Sequence, residues 1–219
     1  MSRMRPPVEL LEKNRPRQAR AKRTYENILM AAAELLVEVG VERISTNLIA
    51  ENAGITVPAL YRYFPNKYAV LYALGAVLMD RQNVIFEQWH ERHYADGGVA
   101  GLMGNVEELL LETYRATRDQ VGGHEITQAL RAVQPLQELR MESHEIVARR
   151  FSDLVAEALG VAVDEEMLIH ARISVDTFYG VVELALGDND LPPQAVLHCG
   201  ASMISAYWLD LIKRLGKAD

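Results

Sequence analysis

The sequence predicts an all-α fold, with an N-terminal three-helix bundle that carries a helix-turn-helix and a larger C-terminal helical domain behind it. Three observations predict it. Apolar residues recur at three- and four-residue steps along most of the chain, which is the period of an amphipathic helix. No stretch alternates apolar and polar residues long enough to read as a strand. Glycines and prolines punctuate the periodic segments at helix-sized intervals.

Residues 1 to 17, with Pro6, Pro7 and Pro16 among five basic residues, predict a flexible basic arm. From Gln18 the helical period begins, with Ile28, Leu29, Ala32, Leu35, Leu36 and Val39 on one face and Gly40 as a stop. Ser45 or Thr46 is placed to cap a short helix running to Ala53, and Gly54 ends it. Thr56 opens a second short helix, with Pro58 in the first turn, where its missing N–H is tolerated. Asn66 then caps a long helix from Lys67 to Trp89 or beyond. Gly97, Gly98, Gly101 and Gly104 predict a loop, followed by helices over 106–120 and 124–133, with a break at Pro135. A long helix over 136–159 shows Leu139, Ile146, Val147, Phe151, Leu154 and Val155 on its apolar side. Asp164 caps the next, to Leu186, and Pro192-Pro193 starts the last, to Leu215. The expected division is 1–17 arm, 18–66 helix-turn-helix domain and 67–219 C-terminal domain, with no linker because the helix from Lys67 serves both.

The net charge of −7 hides an asymmetry. Residues 1 to 72 carry eleven Lys and Arg against seven Glu, and the remainder carries twelve against twenty-three acidic residues. A basic end on an acidic body is expected of a module that meets a polyanion. A solvated basic tail is the alternative if charge is read alone. The single cysteine, Cys199, leaves no internal disulfide and fits a reducing, cytoplasmic compartment. No uninterrupted apolar run approaches the roughly 20 residues of a membrane span, and residues 1–7 have no apolar segment of the secretory kind, so no membrane partner is expected.

The functional signal lies between Ser45 and Lys67. Ala50 and Leu60 are small or apolar where two helices cross, and Gly54 supplies the turn. Thr56, Val57, Pro58 and Ala59 form a small, exposed N-terminal end suited to close approach in a major groove. The run Ala50-x-x-Ala53-Gly54-Ile55, followed by Leu60-Tyr61-Arg62-Tyr63-Phe64-Pro65-Asn66-Lys67, closely resembles the TetR family of transcriptional repressors, over about Thr24 to Leu71. The resemblance implies a cytoplasmic repressor that binds double-stranded DNA at a palindromic operator as a homodimer and responds to a small-molecule effector. It implies that Thr46, Tyr61, Tyr63 and Lys67 contact phosphates, and that Asn47, Thr56, Val57, Pro58 and Ala59 read or approach bases. Asn47 stands where many relatives carry arginine, which favours adenine over guanine there.

Behind residue 67 the resemblance extends to helical layout alone. It implies a ligand-binding and dimerisation domain that pairs through the last two helices, about 164–186 and 192–215. Ala195, Cys199, Ser202 and Ala206 form a small-residue seam on the last helix, suited to a partner helix or to an internal neighbour. Inward candidates for an effector pocket are Trp89, Met103, Leu110, Tyr114, Leu130, Phe151, Phe178 and Trp208. Their apolar character points to an amphipathic or aromatic effector. The competing class is a small-molecule-binding or enzymatic helical protein with an incidental basic N-terminus. His90 and His93 are its best residues, but they lack HExxH spacing and a third ligand, and no phosphate-binding or nucleophile-elbow motif is present. The sequence therefore predicts no cofactor, no metal site and no catalytic residue; a metal sensor on the same fold is the third alternative.

Overall fold

Helical periodicity builds nearly everything that the computed structural model describes, which is Leu10, Lys13, residues 18–187 and residues 190–215. The order is α1 (Ala19–Arg43), α2 (Thr46–Asn52), α3 (Val57–Leu60), α4 (Lys67–Gly104), α5 (Val106–Arg118), α6 (Gly123–Ala132), α7 (Gln134–Leu159), α8 (Glu165–Gly187) and α9 (Pro193–Leu215). No strand occurs among the described residues. The expected arm lies outside them apart from Leu10, which is buried, and Lys13, whose backbone N–H donates to the Tyr63 carbonyl at 2.8 Å.

The chain divides into two compact units. The first comprises Met1–Asp80 and Arg118–Glu142, and so contains more than the helix-turn-helix segment itself. Ile28, Ala32, Leu36, Ile49, Leu60, Phe64 and Leu78 form its core, together with Ile126, Leu130 and Leu136 from α6 and the start of α7. Gly40, with φ 73° and ψ 169°, interrupts α1, and the chain resumes helical geometry as far as Arg43. The stop predicted at Gly40 is thus a kink.

The second unit comprises Arg81–Thr117 and Ser143–Asp219. Its core gathers Trp89, Leu102, Leu110, Val155, Ala171 and Trp208. Three expectations need correction. The glycines from 97 to 104 do not make a loop: α4 runs to Gly104 and departs from helical geometry only at Gly98 (φ 53°, ψ −147°). The chain turns back so closely that Gly101 lies on the His93 carbonyl, where a side chain has no room. Ile146 is 44% exposed, because the buried stripe of α7 runs through Val147, Ala148, Phe151 and Leu154 instead. Pro135 begins α7 instead of breaking the chain before it, since a first-turn proline forfeits no helical hydrogen bond.

Averaged over a window, and despite interruptions in the apolar runs, Lys67–Ala95 and Pro193–Leu215 are each long and apolar enough to cross a membrane by length and composition. The chain itself buries 56% of the first window but only 28% of the second. The difference leaves α9 with apolar surface to spare.

Gly122 makes a sharp test of the first unit. It has φ +66°, and a Cβ there would stand 2.8 Å from the Ala33 carbonyl oxygen of α1. Gly122→Ala combines left-handed strain with a backbone clash, and should lower unfolding free energy in urea by about 1–3 kcal/mol. An unchanged midpoint would show that α1 and the turn before α6 do not meet this closely.

Candidate nucleic-acid interface and ligand cavity

Local capping positions the helix-turn-helix. The Ser45 hydroxyl accepts from Leu48 N–H at 3.3 Å, and the Thr56 hydroxyl accepts from Ala59 N–H at 3.3 Å, so each short helix starts where its cap dictates. Gly54, with φ +65°, makes the turn between them. Ile49, Ala50 and Leu60 are buried at the crossing. Asn47, Thr56 and Pro58 are exposed, and Val57 and Ala59 are half-buried beside them. The outer face therefore carries small side chains and one amide.

The expected phosphate ligands divide. Thr46 Oγ1 and Tyr61 Oη share a hydrogen bond at 3.2 Å, which holds two hydroxyls side by side on the surface, and Tyr61 is 40% exposed. The Tyr63 ring is half-buried and meets Tyr25 edge to face at 6.4 Å. Lys67 has internal work: its Nζ donates to the carbonyls of Ile44 at 3.1 Å and Val41 at 3.4 Å. The ammonium caps the end of α1, which explains a cation at the start of α4 without an external anion.

In the second unit a narrow cavity, with about 60 Å³ of room, opens among α4, α5, α7, α8 and α9. Trp89, Met103, Phe151, Phe178 and Trp208 of the expected set line it. Leu110 and Tyr114 pack into the surrounding core without reaching its wall. Leu130 belongs to the core of the first unit, where its side chain sits against Gly75. Its helix carries a regular apolar stripe, and a stripe does not reveal which core receives it. Sequence reasoning missed Gln82, Phe86, Thr113, Ser174 and Tyr179 on the wall. A buried glutamine within the apolar run of α4 was the available signal.

The wall is aromatic and uncharged. Trp89 Nε1 donates to the Asn105 carbonyl and Trp208 Nε1 to Ser174 Oγ, both at 2.8 Å. Burial pushes the Tyr179 hydroxyl well above its ordinary value, so it stays protonated. Behind Tyr179 the buried His144 ring stacks parallel at 4.3 Å, and its Nδ1 lies 2.6 Å from Asp176 Oδ1. Burial acts to raise the Asp176 carboxyl, but hydrogen bonds from His144 and Arg172 outweigh it and hold the group below the usual aspartate value.

Of the two histidines of the enzyme alternative, His90 has both ring nitrogens buried without a hydrogen-bond partner among the described residues, and His93 is paired. His93 meets Glu108 at 2.9 Å, beside an Arg92 that bridges Glu108 and Glu112. Among the described residues no three His, Cys, Asp or Glu side chains are grouped to hold a metal ion.

Residues 28–74 match the family model described as bacterial regulatory proteins, tetR family. The tetracycline repressor protein class A from transposon 1721 of Escherichia coli is 44% identical over 52 residues, which is 24% of each chain. The chain thus spans about a quarter of the length of the curated relatives it matches. Two solved structures share the fold over more. A putative TetR-family transcriptional regulator from Syntrophomonas wolfei superposes with TM-score 0.68 at 14% identity, covering 85% of this chain and 95% of that one. SmeT, the repressor of the Stenotrophomonas maltophilia multidrug efflux pump SmeDEF, in complex with triclosan, superposes with TM-score 0.62 at 22% identity, covering 84% and 90%.

The Asp176 group sets a pH dependence. A carboxyl held below its unfolded value stabilises the fold above that value, and the contribution is lost as pH falls through the folded value. Asp176→Asn should therefore be less stable than the parent at neutral pH, with the difference shrinking below about pH 4 in urea melts. A gap that stays constant into acid would refute the pairing. In sequence the helix-turn-helix segment, residues 28–74, matches the tetR family of bacterial regulatory proteins, and beyond it the chain shares the fold of solved structures described as TetR-family regulators.

Proposed function

We propose that the chain is a ligand-responsive transcriptional repressor, which binds a palindromic operator in double-stranded DNA as a homodimer and is released by a small amphipathic or aromatic effector. The observation that carries this reading is the capped pair α2–α3, whose exposed small residues and hydroxyls stand within the residues that match the tetR family model. In this reading Thr46 and Tyr61 meet phosphates as a pair. Asn47, Thr56, Val57, Pro58 and Ala59 face base edges, with Asn47 suited to adenine. Tyr63 and Lys67 meet phosphates as well, Lys67 from an ammonium that also holds the end of α1. The protein works in the cytoplasm and catalyses nothing.

Dimerisation through α8 and α9 is supported by two exposed stripes. Ile169, Ile173, Asp176, Thr177 and Leu184 recur along α8 at helical spacing, and Gly180 between them has open space beside it. On α9, Ala195, Cys199, Ser202 and Ala206 are all exposed, flanked by Met203 at 67% exposure. A second copy laid on these stripes covers apolar surface that the chain leaves open, and small residues allow close helix approach.

The cavity of the second unit is the effector site in this reading. Gln82, Phe86 and Trp89 on its wall belong to α4, the helix that begins at Lys67 beside the helix-turn-helix. An effector that prefers one setting of α4 shifts the balance between DNA-binding and released states only by its difference in affinity for the two. A near-complete swing takes about 10⁴-fold.

Selection of genomic fragments with the purified protein at two salt concentrations should recover a palindrome, bound more weakly at high salt. Tyr61→Phe should then weaken binding to all fragments alike, whereas Asn47→Ala should change the preferred base. No enrichment by well-folded protein would sink the repressor reading. The double substitution Ile173→Glu with Met203→Glu should turn a dimer into a monomer in sedimentation velocity; a persisting dimer would place the interface elsewhere.

A further inference from the structure

Of the fully buried polar side-chain atoms of the cavity wall, Gln82 Oε1 is the one without a hydrogen-bond partner among the described residues. Gln82 is buried in α4, 3% exposed, and lines the cavity. Its Nε2 donates to Thr117 Oγ1 at 2.9 Å. The Thr117 hydroxyl spends its single proton on the Thr113 carbonyl at 2.8 Å, so towards Gln82 it acts as an acceptor. That fixes the orientation of the amide: the nitrogen faces Thr117, and Oε1 is left as an acceptor with no partner within the chain. The indoles and Ser174 on the wall are satisfied within the chain. Both indole N–H groups are bonded to the protein, and Ser174 Oγ accepts from Trp208 while donating to the His170 carbonyl.

Three further properties of the cavity restrict what enters it. Its lining includes no Asp, Glu, Lys, Arg or His, so an ionised guest would be buried without a counter-charge. Aromatic rings from Phe86, Trp89, Phe151, Phe178 and Trp208 surround the space, and Phe151 and Trp208 meet edge to face at 4.7 Å. The room, about 60 Å³, corresponds to roughly four to six water positions at about 10–15 Å³ each, the scale of one flat ring.

We infer that the cavity takes an uncharged single-ring aromatic molecule bearing a hydrogen-bond donor such as a phenolic hydroxyl, and that the Gln82 side-chain carbonyl selects it. The inference rests on the cavity being the effector site. A donor on the ring pairs with Oε1, whereas an all-carbon ring of the same shape leaves that acceptor buried and unpaired. Sites built around a buried polar group reject analogues that lack its partner far more strongly than apolar sites reject a missing methyl.

Calorimetric titration of the full chain with para-cresol and para-xylene tests this, since the two differ by a hydroxyl against a methyl. Para-cresol should bind about tenfold or more tighter. In Gln82→Leu the ratio should fall to near one, with para-xylene bound at least as well as before. Gln82→Met, which keeps the length of the side chain, should behave the same way and guards against a change of cavity shape. The anion of para-toluic acid should not bind. Equal affinity for the two neutral rings in the parent protein, or a preference that survives in both variants, overturns the role of Gln82 while leaving the cavity as a ligand site. Failure of both rings to bind protein that still melts cooperatively overturns the assigned ligand class. The regulator reading is judged separately, by operator recovery.

Discussion

The first unit depends on how α4 starts. Lys67 places an ammonium in the first turn of a helix, where the helix dipole disfavours a cation. The structure compensates by hydrogen-bonding it to the carbonyls of Val41 and Ile44, at the far end of α1, which have no helical N–H to accept. Asn66 Oδ1 caps the same start by accepting from Ala69 N–H at 2.9 Å. Ile44 and Phe64, both essentially fully buried, close the space around this junction. The helix-turn-helix lies in the chain between these fixed points, so its two short helices are held by their flanks as well as by their own crossing. Neither short helix is long enough to persist alone. The orientation of Asn47 and Thr56 is therefore a property of the whole unit.

The same junction shows what a motif conveys and what it does not. Ser45, Thr56, Asn66 and Asp164 are legible as caps because capping is a local interaction between a side chain and an N–H two or three residues on, and all four accept such a bond. Lys67 is recognisable as a functional position, but its carbonyl partners lie 23 and 26 residues back in the sequence, where periodicity is silent. Leu130 and Ile146 fail for a related reason. A helical stripe identifies a buried face, but the core that receives it, and which neighbouring residue crosses into solvent, are set by tertiary packing. The glycines near residue 100 mark a real event, the reversal at Gly98, yet the sequence shows four candidates and the backbone uses one.

The second unit combines a dense aromatic core with a space inside it. Protein interiors normally close such gaps, because unfilled volume forfeits dispersion and hydrophobic energy. Here the wall is fixed from behind: the Tyr179 ring is stacked on His144, which is tied to Asp176, and both indoles are tethered by their N–H groups. Side chains held this way cannot relax inward to fill the gap. Leaving the Gln82 acceptor without a partner costs a further ~1–3 kcal/mol. If the cavity is the effector site proposed above, a guest that binds the folded state alone would offset both costs and add stability in proportion to the logarithm of its concentration.

The surface of α9 completes the physical picture. The helix is apolar enough to be a core helix, yet the chain covers little of it. A solvated apolar stripe of this length invites association, and the neighbouring residues decide its form. Glu166, Asp210 and Arg214 border the α8 and α9 stripes with charge. Charges at the rim oppose lipid insertion and open-ended aggregation, but they tolerate a paired copy that leaves them in water. In the proposed dimer, small residues at the centre and charge at the edge would make a self-complementary patch, and two-fold pairing through it would close the assembly at two copies. A closed pair is also what a palindrome requires, because each half-site then meets an identical α3. In the proposed repressor the residues that leave α9 incompletely buried and those that expose α3 would serve one requirement, although they lie more than 100 positions apart in the chain.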